Sequence, residues 1–141
     1  LLNNFGHEYN IHKLEDIYSG VHLDSTIAFL KPGLLLANPD RVNADNMPNI
    51  LKKWTTIYSP EMISNGMDEG LSSKWLGMNL LMLSDEHAIV DADQLPLIRL
   101  LEKHKIAVTP LKIRHGRKLG GGFHCVTLDV RRKDRKENYF N

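Results

Sequence analysis

An internal repeat constrains the fold of this 141-residue chain more than any other feature. A shift of 53 residues lays residues 26–40 over residues 79–93. Each copy reads as a strand, a tight turn and a second strand, with turn signals at Lys31-Pro-Gly33 and Ser84-Asp-Glu86. The pattern predicts two copies of one supersecondary unit. Two unrelated apolar hairpins that look alike by chance are the alternative.

Each predicted hairpin is followed by a helix candidate, at residues 44–54 and 94–105, and then by a further strand, at 55–58 and 106–113. The repeating unit is therefore ββαβ, with modules at about residues 20–58 and 76–113. A β-branched run from Phe123 to Val130 predicts a closing strand within residues 120–132. Modules of this kind bury their cores partly against neighbours. A chain with two such modules is therefore predicted to be the C-terminal part of a longer protein.

Composition narrows the class of protein. The chain has 18 basic and 17 acidic residues, a net charge of +1, and 42% hydrophobic residues. These values are typical of a globular protein and indicate neither a nucleic-acid partner nor a membrane span. The single cysteine cannot form an internal disulfide, so a reducing compartment, the cytoplasm, is expected. Mitochondrial location is the alternative if the source is eukaryotic.

That cysteine, Cys125, follows three consecutive glycines in Leu119-Gly-Gly-Gly-Phe-His-Cys125-Val-Thr. In a strand, Phe123, Cys125 and Thr127 would share one face, and His124 would point to the other. His124 is thus predicted to be a poor partner for the thiol. The His22-Leu-Asp24 triplet offers a better acid or base. A small buried hydrophobic residue is the alternative role for Cys125.

Five motifs in this order resemble the L-arginine-dependent amidinotransferases, which include glycine amidinotransferase and the cyanobacterial enzymes of cylindrospermopsin and saxitoxin synthesis. They are Gly20-Val-His22-Leu-Asp24-Ser-Thr, Ala37-Asn-Pro-Asp-Arg41, Ser72-Ser-Lys-Trp-Leu-Gly-Met-Asn79, Val90-Asp-Ala-Asp93 and Leu119-Gly-Gly-Gly-Phe-His-Cys125-Val-Thr-Leu-Asp-Val-Arg-Arg132. The resemblance implies a pentein-type α/β propeller built of ββαβ modules. This chain would supply about the last two modules and the closing strand of the catalytic domain.

The resemblance also implies a reaction. Cys125 would be the nucleophile that takes the amidino group from L-arginine and releases L-ornithine, and His22 would be the general acid and base. Asp24 would hold the guanidinium through paired hydrogen bonds. A solvated turn carboxylate is the alternative for Asp24. No residue here matches the second active-site carboxylate of the family, so this chain alone is expected to be incomplete as an enzyme.

Three residues resemble the family's contacts to the amino-acid end of the substrate. Arg41 would bind the α-carboxylate with two parallel hydrogen bonds, and its alternative is a surface arginine after a turn. Ser72 and Ser73 would add hydroxyl contacts, and their alternative is a helix N-cap. The glycines 120–122 would allow close backbone approach ahead of the nucleophile.

The remaining expectations concern partners and alternatives. The resemblance implies no cofactor or metal, L-arginine as donor, a small amine such as glycine or a toxin precursor as acceptor, and a homodimer for the full-length protein. A hydrolase of the arginine deiminase or dihydrolase type would use the same residues but pass the intermediate to water. A non-catalytic fragment of the fold is the third reading.

Overall fold

The computed structural model describes residues 11–14, 17, 22–64, 72–133 and 138–140. Within them the chain forms two three-stranded sheets. The strands of the first sheet are β1 (Ile27–Lys31), β2 (Leu34–Ala37) and β3 (Thr55–Tyr58), and those of the second are β4 (Leu81–Ser84), β5 (His87–Asp91) and β6 (Ala107–Leu111). Gly20, Val21 and residues 65–71 lie outside the described residues.

The two sheets share one topology, as the repeat predicts. In each, the first two strands pair antiparallel and the third joins parallel to the second. Even the hairpin ends correspond under the 53-residue shift, since Lys31 pairs with Leu34 and Ser84 with His87. Gly33 occupies the first turn with φ +78°, a conformation that glycine adopts without steric cost.

The second predicted helix is confirmed as α1 (Leu95–Lys103), which begins after Gln94 and has proline in its first turn. The first predicted helix, at 44–54, is wrong, because only a 3₁₀ turn forms there, at Asn49–Leu51. Asn43 Oδ1 accepts the backbone N–H groups of Asp45 and Asn46, which gives the backbone an alternative to helical bonds.

The two modules share a core. Leu30, Leu36 and Ile57 of the first sheet pack with Val90 of β5 and Leu101 of α1 in one buried cluster. A second cluster covers the opposite face of β2, where Leu35 and Ala37 are fully buried with Val42, Met47 and Leu51. Burial on both faces explains why β2 is an uninterrupted apolar run.

The predicted closing strand at 120–132 is wrong. After β6 the chain forms a short helix, α2 (Gly116–Leu119), then a turn at 123–126, and no strand is assigned from 120 to 133. Val126, Leu128 and Val130 are 65%, 86% and 90% exposed. A β-branched run forms a strand only when its backbone finds a pairing edge, and residues 120–133 pair with neither described sheet.

None of the described helices has the length and apolar character needed to cross a bilayer.

Candidate active site

Cys125 lies in an exposed turn and contacts a carboxylate from the far end of the chain. Its Sγ donates to Asp24 Oδ2 at 3.5 Å across 101 residues of sequence. His124 Nδ1 lies 3.3 Å from the same oxygen. The two side chains therefore reach one carboxylate, although a strand would have placed them on opposite faces, because a turn does not alternate side chains as a strand does.

Two of the three glycines shape this turn. Gly120 ends α2 in the left-handed conformation, φ +74°, and its N–H donates to Gly116 O. Gly122 lies against Asn79, where a Cβ would come within 2.7–2.8 Å of three Asn79 atoms. The close approach at Gly122 is thus made by Asn79, and approach of a substrate to these glycines stays a prediction.

Asn79 binds the thiol turn through hydrogen bonds to Cys125 and His124. Its side-chain Oδ1 accepts the Cys125 N–H at 3.0 Å, and its Nδ2 donates to Cys125 Sγ at 3.1 Å. Its backbone carbonyl accepts the His124 N–H at 3.4 Å. Sequence reasoning missed this role. The available signal was a polar residue placed directly before the apolar run of β4, at the end of the Ser72–Asn79 motif.

Asp24 is placed by the turn that leads into β1. Leu23 O accepts the N–H groups of Thr26 and Ile27 at 2.8 and 2.9 Å, and Asp24 is 22% exposed beside the Cys125 turn. His22, at the start of the same segment, is exposed. Among the described residues, no hydrogen bond or ion pair joins His22 to Cys125 or Asp24. Of the predicted catalytic residues, the structure thus brings Asp24 and Cys125 into contact but not His22.

Arg41 and Ser73 come together as a second cluster. Arg41 Nη1 donates to Ser25 O, Ser25 Oγ and Thr26 Oγ1 at 3.2, 3.0 and 2.9 Å, and Nη2 donates to Ser73 Oγ at 3.1 Å. The turn before Arg41 is fixed by the fully buried Asn38, whose Nδ2 donates to Ser25 O at 2.9 Å. Arg41 is therefore an oriented side chain.

Ser73 is also the N-cap of a 3₁₀ helix, Lys74–Met78, since its Oγ accepts the Trp75 N–H at 3.2 Å. The N-cap alternative is thus confirmed for Ser73. Because both lone pairs of the hydroxyl accept, from Trp75 and Arg41, Ser73 Oγ can make a further hydrogen bond only as a donor. Ser72 is half-buried, and within the described residues it has no hydrogen bond to Arg41.

A second tie links the Arg41 turn to this 3₁₀ helix. Asp40 Oδ2 accepts from Lys74 Nζ at 2.7 Å and from Trp75 Nε1 at 3.0 Å. The Lys74 ammonium first, and the Trp75 N–H second, hold the pKa of Asp40 below its usual value. Asp40 therefore stays ionised at neutral pH and adds negative charge one residue before Arg41.

A cavity of about 320 Å³ adjoins the thiol turn. Apolar side chains of β1, β4 and the residues that precede these strands form most of its wall, and Asp24, His124 and Arg132 form its polar side. Pockets that bind small molecules have volumes of roughly 300–1,000 Å³ and a similar mix of apolar walls and a few polar groups.

Comparisons with curated proteins find relatives along the whole chain. Inosamine-phosphate amidinotransferase 1 of Streptomyces glaucescens is 48% identical over 141 residues, 99% of this chain and 40% of that protein. The mitochondrial glycine amidinotransferase of Xenopus tropicalis is 40% identical over 124 residues, 86% of this chain and 29% of that protein. No family model matches. The chain spans at most 40% of the length of these relatives.

Solved structures agree. The Streptomyces griseus inosamine-phosphate amidinotransferase superposes with a TM-score of 0.88 at 49% identity, over 94% of this chain and 39% of that one. The amidinotransferase SxtG of the Microseira wollei saxitoxin pathway also gives 0.88, at 34% identity, over 99% and 42%. A dimethylarginine dimethylaminohydrolase, 18% identical over 77% and 37%, shares the fold with a TM-score of 0.56. The predicted pentein-type fold class is confirmed.

Proposed function

We propose the reaction of this site on the premise that the chain is a homologue of the inosamine-phosphate and glycine amidinotransferases, as its five motifs predict. The chain matches 29–40% of the length of those relatives. The protein that carries this chain moves the amidino group of L-arginine to an acceptor amine through an amidino-cysteine at Cys125. The observation that carries this proposal is the contact of Cys125 Sγ with Asp24 Oδ2 in an exposed turn.

The first step is exchange of partners at Asp24. In the free protein the thiol donates to the carboxylate. A substrate guanidinium would replace that bond with charge-assisted N–H contacts to Asp24, and its positive charge would favour the thiolate beside it. The guanidinium carbon would then lie next to the sulfur, which is the geometry that attack requires.

Attack by the thiolate forms a C–S bond to the guanidinium carbon, and the C–N bond to the substrate side chain then breaks. The departing nitrogen takes a proton and leaves as the amine of L-ornithine. His22 supplies that proton and later removes one from the incoming amine, since an imidazole can act as both general acid and general base. Because catalytic contacts often form only in the substrate complex, the exposed position of His22 in the free protein is compatible with this role.

The amino-acid end of L-arginine binds at the second cluster. The α-carboxylate offers two oxygens, for which Arg41 would exchange part of its bonds to Ser25, Thr26 and Ser73, and Ser73 would donate its O–H. Ser72, next to Ser73, adds its hydroxyl. The 3₁₀ helix Lys74–Met78 connects this cluster to Asn79, which contacts Cys125. One short element therefore links the proposed binding sites for the two ends of L-arginine.

The acceptor is an amine that reaches the amidino-cysteine from the adjoining cavity. Glycine, a toxin-precursor amine and an inosamine phosphate are the candidates, the last because the relatives at 48–50% identity are named for it. The second half-reaction forms a C–N bond to the acceptor, breaks the C–S bond and restores the thiolate.

From the family resemblance we further propose that the full-length protein acts as a homodimer. Its single cysteine favours the reducing environment of the cytoplasm.

Product analysis tests this function. The full-length protein is incubated with labelled L-arginine and each candidate acceptor in turn. We expect L-ornithine and a new guanidino compound to form in equal amounts with one of the acceptors. Citrulline without a guanidino product would instead identify a hydrolase, and no turnover with any amine would contradict the proposal.

A further inference from the structure

Asn79 makes more contacts to the thiol turn than the proposed reaction uses. Asn79 is buried, with 3% of its surface exposed, and both polar atoms of its side chain bind Cys125. One amide thus fixes the backbone and the sulfur of the same residue. Nothing in the five motifs assigns it a role.

We propose that Asn79 is a positioning residue for Cys125, which fixes the sulfur and donates an N–H to the negative charge of the thiolate. Its importance for amidino transfer rests on the proposed function, whereas its effect on the thiol itself does not. A donor bound to the charged form of a group favours that form.

The surroundings of the sulfur explain why a neutral donor matters. Among the described residues, the titratable groups that touch the sulfur or its turn are Asp24, from the segment before β1, and His124, from the turn itself. The Asp24 carboxylate opposes a second negative charge on the sulfur until a guanidinium binds. Asn79 Nδ2, which donates to the sulfur at 3.1 Å, would offset this repulsion when the thiolate forms.

The packing makes the Asn79 side chain rigid. Gly122 lies against its Cβ and Oδ1, where even a methyl group would meet atoms at 2.7 Å. Below it, Trp75 and Met78 of the 3₁₀ helix are buried in the core shared by the two modules. The amide therefore cannot move without disturbing either the turn or the core.

The same element links Asn79 to the predicted carboxylate cluster. Ser73 caps the start of the 3₁₀ helix and Asn79 caps its end. At about 2.0 Å per residue, the two caps lie about 12 Å apart along the helix axis. A displacement of Asn79 thus changes the distance between the sulfur and the group that holds the other end of the donor.

Alkylation of Cys125 by iodoacetamide tests the proposal without any substrate. The rate is followed on the Cys125 peptide by mass spectrometry, from pH 6 to pH 10, in the full-length protein. Asn79→Asp keeps the acceptor for the Cys125 N–H but replaces the donor to sulfur with a negative charge. We expect alkylation about tenfold slower or more at neutral pH, with recovery at higher pH, because a like charge at this distance disfavours the thiolate.

Two further variants make the result specific. Asn43→Asp is the matched control, since it is the same substitution at an exposed position of the first module, where Asn43 Oδ1 accepts from Asp45 and Asn46 and is retained. It should keep the wild-type profile. Gly122→Ala displaces Asn79 and should slow alkylation without adding charge. Wild-type profiles in both Asn79→Asp and Gly122→Ala, or equal slowing in Asn43→Asp, would overturn the proposal.

An activity assay separates this inference from the proposed function. In a protein that transfers the amidino group, Asn79→Asp should lower kcat more than it raises the KM for L-arginine. A rise in the KM for L-arginine with no change in kcat would contradict a positioning role. If the wild type shows no transfer, the proposed function fails, but the alkylation profiles still decide whether Asn79 positions the thiol.

Discussion

At the scale of residues, the site is a set of contacts around one carboxylate. Asp24 Oδ2 accepts from Cys125 Sγ and lies beside His124 Nδ1, while Asn79 holds the sulfur from the other side. Within the part of the chain that the structure describes, His22 has no hydrogen bond to Asp24 or Cys125. The two histidines therefore differ in what they can do. In the proposed reaction, His124 orients Asp24, which it contacts at 3.3 Å, and His22 transfers the proton to or from the bound substrate.

Replacing each histidine separately tests this division. His22→Asn should retain L-arginine binding and lower kcat roughly a hundredfold or more, the usual effect of losing a general acid or base. His124→Asn keeps a donor near Asp24 and should lower kcat less than about tenfold. Steady-state kinetics of L-ornithine release measure both. A larger loss in His124→Asn than in His22→Asn would assign the proton transfer to His124.

Replacing Arg41 is expected to weaken substrate binding rather than proton transfer. Arg41→Lys loses the planar guanidinium that reaches Ser25, Thr26 and Ser73 together. We expect the KM for L-arginine to rise about tenfold, the equivalent of one charge-assisted hydrogen bond, with a smaller change in kcat. Lys52→Arg, on an exposed position of the first module, is the control. A fall in kcat at constant KM would place Arg41 outside the binding site.

At the scale of elements, the 3₁₀ helix Lys74–Met78 connects the clusters. Ser73 and Asn79 cap its two ends, and Asp40 binds its first turn through Lys74 and Trp75. Because the pKa of Asp40 is lowered in the folded protein, its contribution to stability is present above its ordinary value of 3.8. That contribution is lost as the pH falls through the lowered value.

A titration of the Asp40 carboxyl carbon by NMR checks the origin of this shift. Lys74→Met removes the largest cause, so the midpoint should rise toward 3.8. The difference in thermal stability between wild type and Lys74→Met should be present at neutral pH and shrink below about pH 4. Since the pair is exposed, the difference is small. Lys52→Met should leave the midpoint unchanged, and an unchanged midpoint in Lys74→Met would contradict the assignment.

At the scale of the whole molecule, the site draws on distant parts of the chain. Asp24 and Arg41 border the first sheet, Asn79 precedes the second, and Cys125 follows α2. The core that joins Leu36 of β2 to Val90 of β5 and Leu101 of α1 holds these parts together. The geometry of the site therefore depends on how the two modules pack.

The exposed run after Cys125 has a consequence at this scale. Val126, Leu128 and Val130 expose apolar side chains at alternate positions of an unpaired segment, and such segments pair readily with other chains. We expect the 141-residue chain to self-associate. Changing all three residues to threonine should reduce association in sedimentation velocity, whereas changing them to isoleucine should not. A monodisperse wild-type monomer would contradict this expectation.

The sequence predicted those parts of the fold that short-range signals determine. Both hairpins and α1 follow from apolar periodicity and turn residues such as Gly33. The helix at 44–54 failed because the Asn43 side chain binds nearby backbone N–H groups in its place. The strand at 123–130 failed because a strand needs a pairing edge that propensity does not supply. Contacts across the chain, such as those of Asn79 with Cys125, depend on how the two modules pack, which local patterns do not determine.

The central claim is that Cys125 carries the amidino group, and intact-mass measurement tests it most directly. The full-length protein is mixed with L-arginine in the absence of an acceptor, quenched in acid and mapped by peptide mass spectrometry. The account predicts an amidino adduct on the Cys125 peptide of the wild type and no adduct or L-ornithine release in Cys125→Ala. An adduct in Cys125→Ala, or a wild type that turns over without ever forming one, would contradict the covalent mechanism.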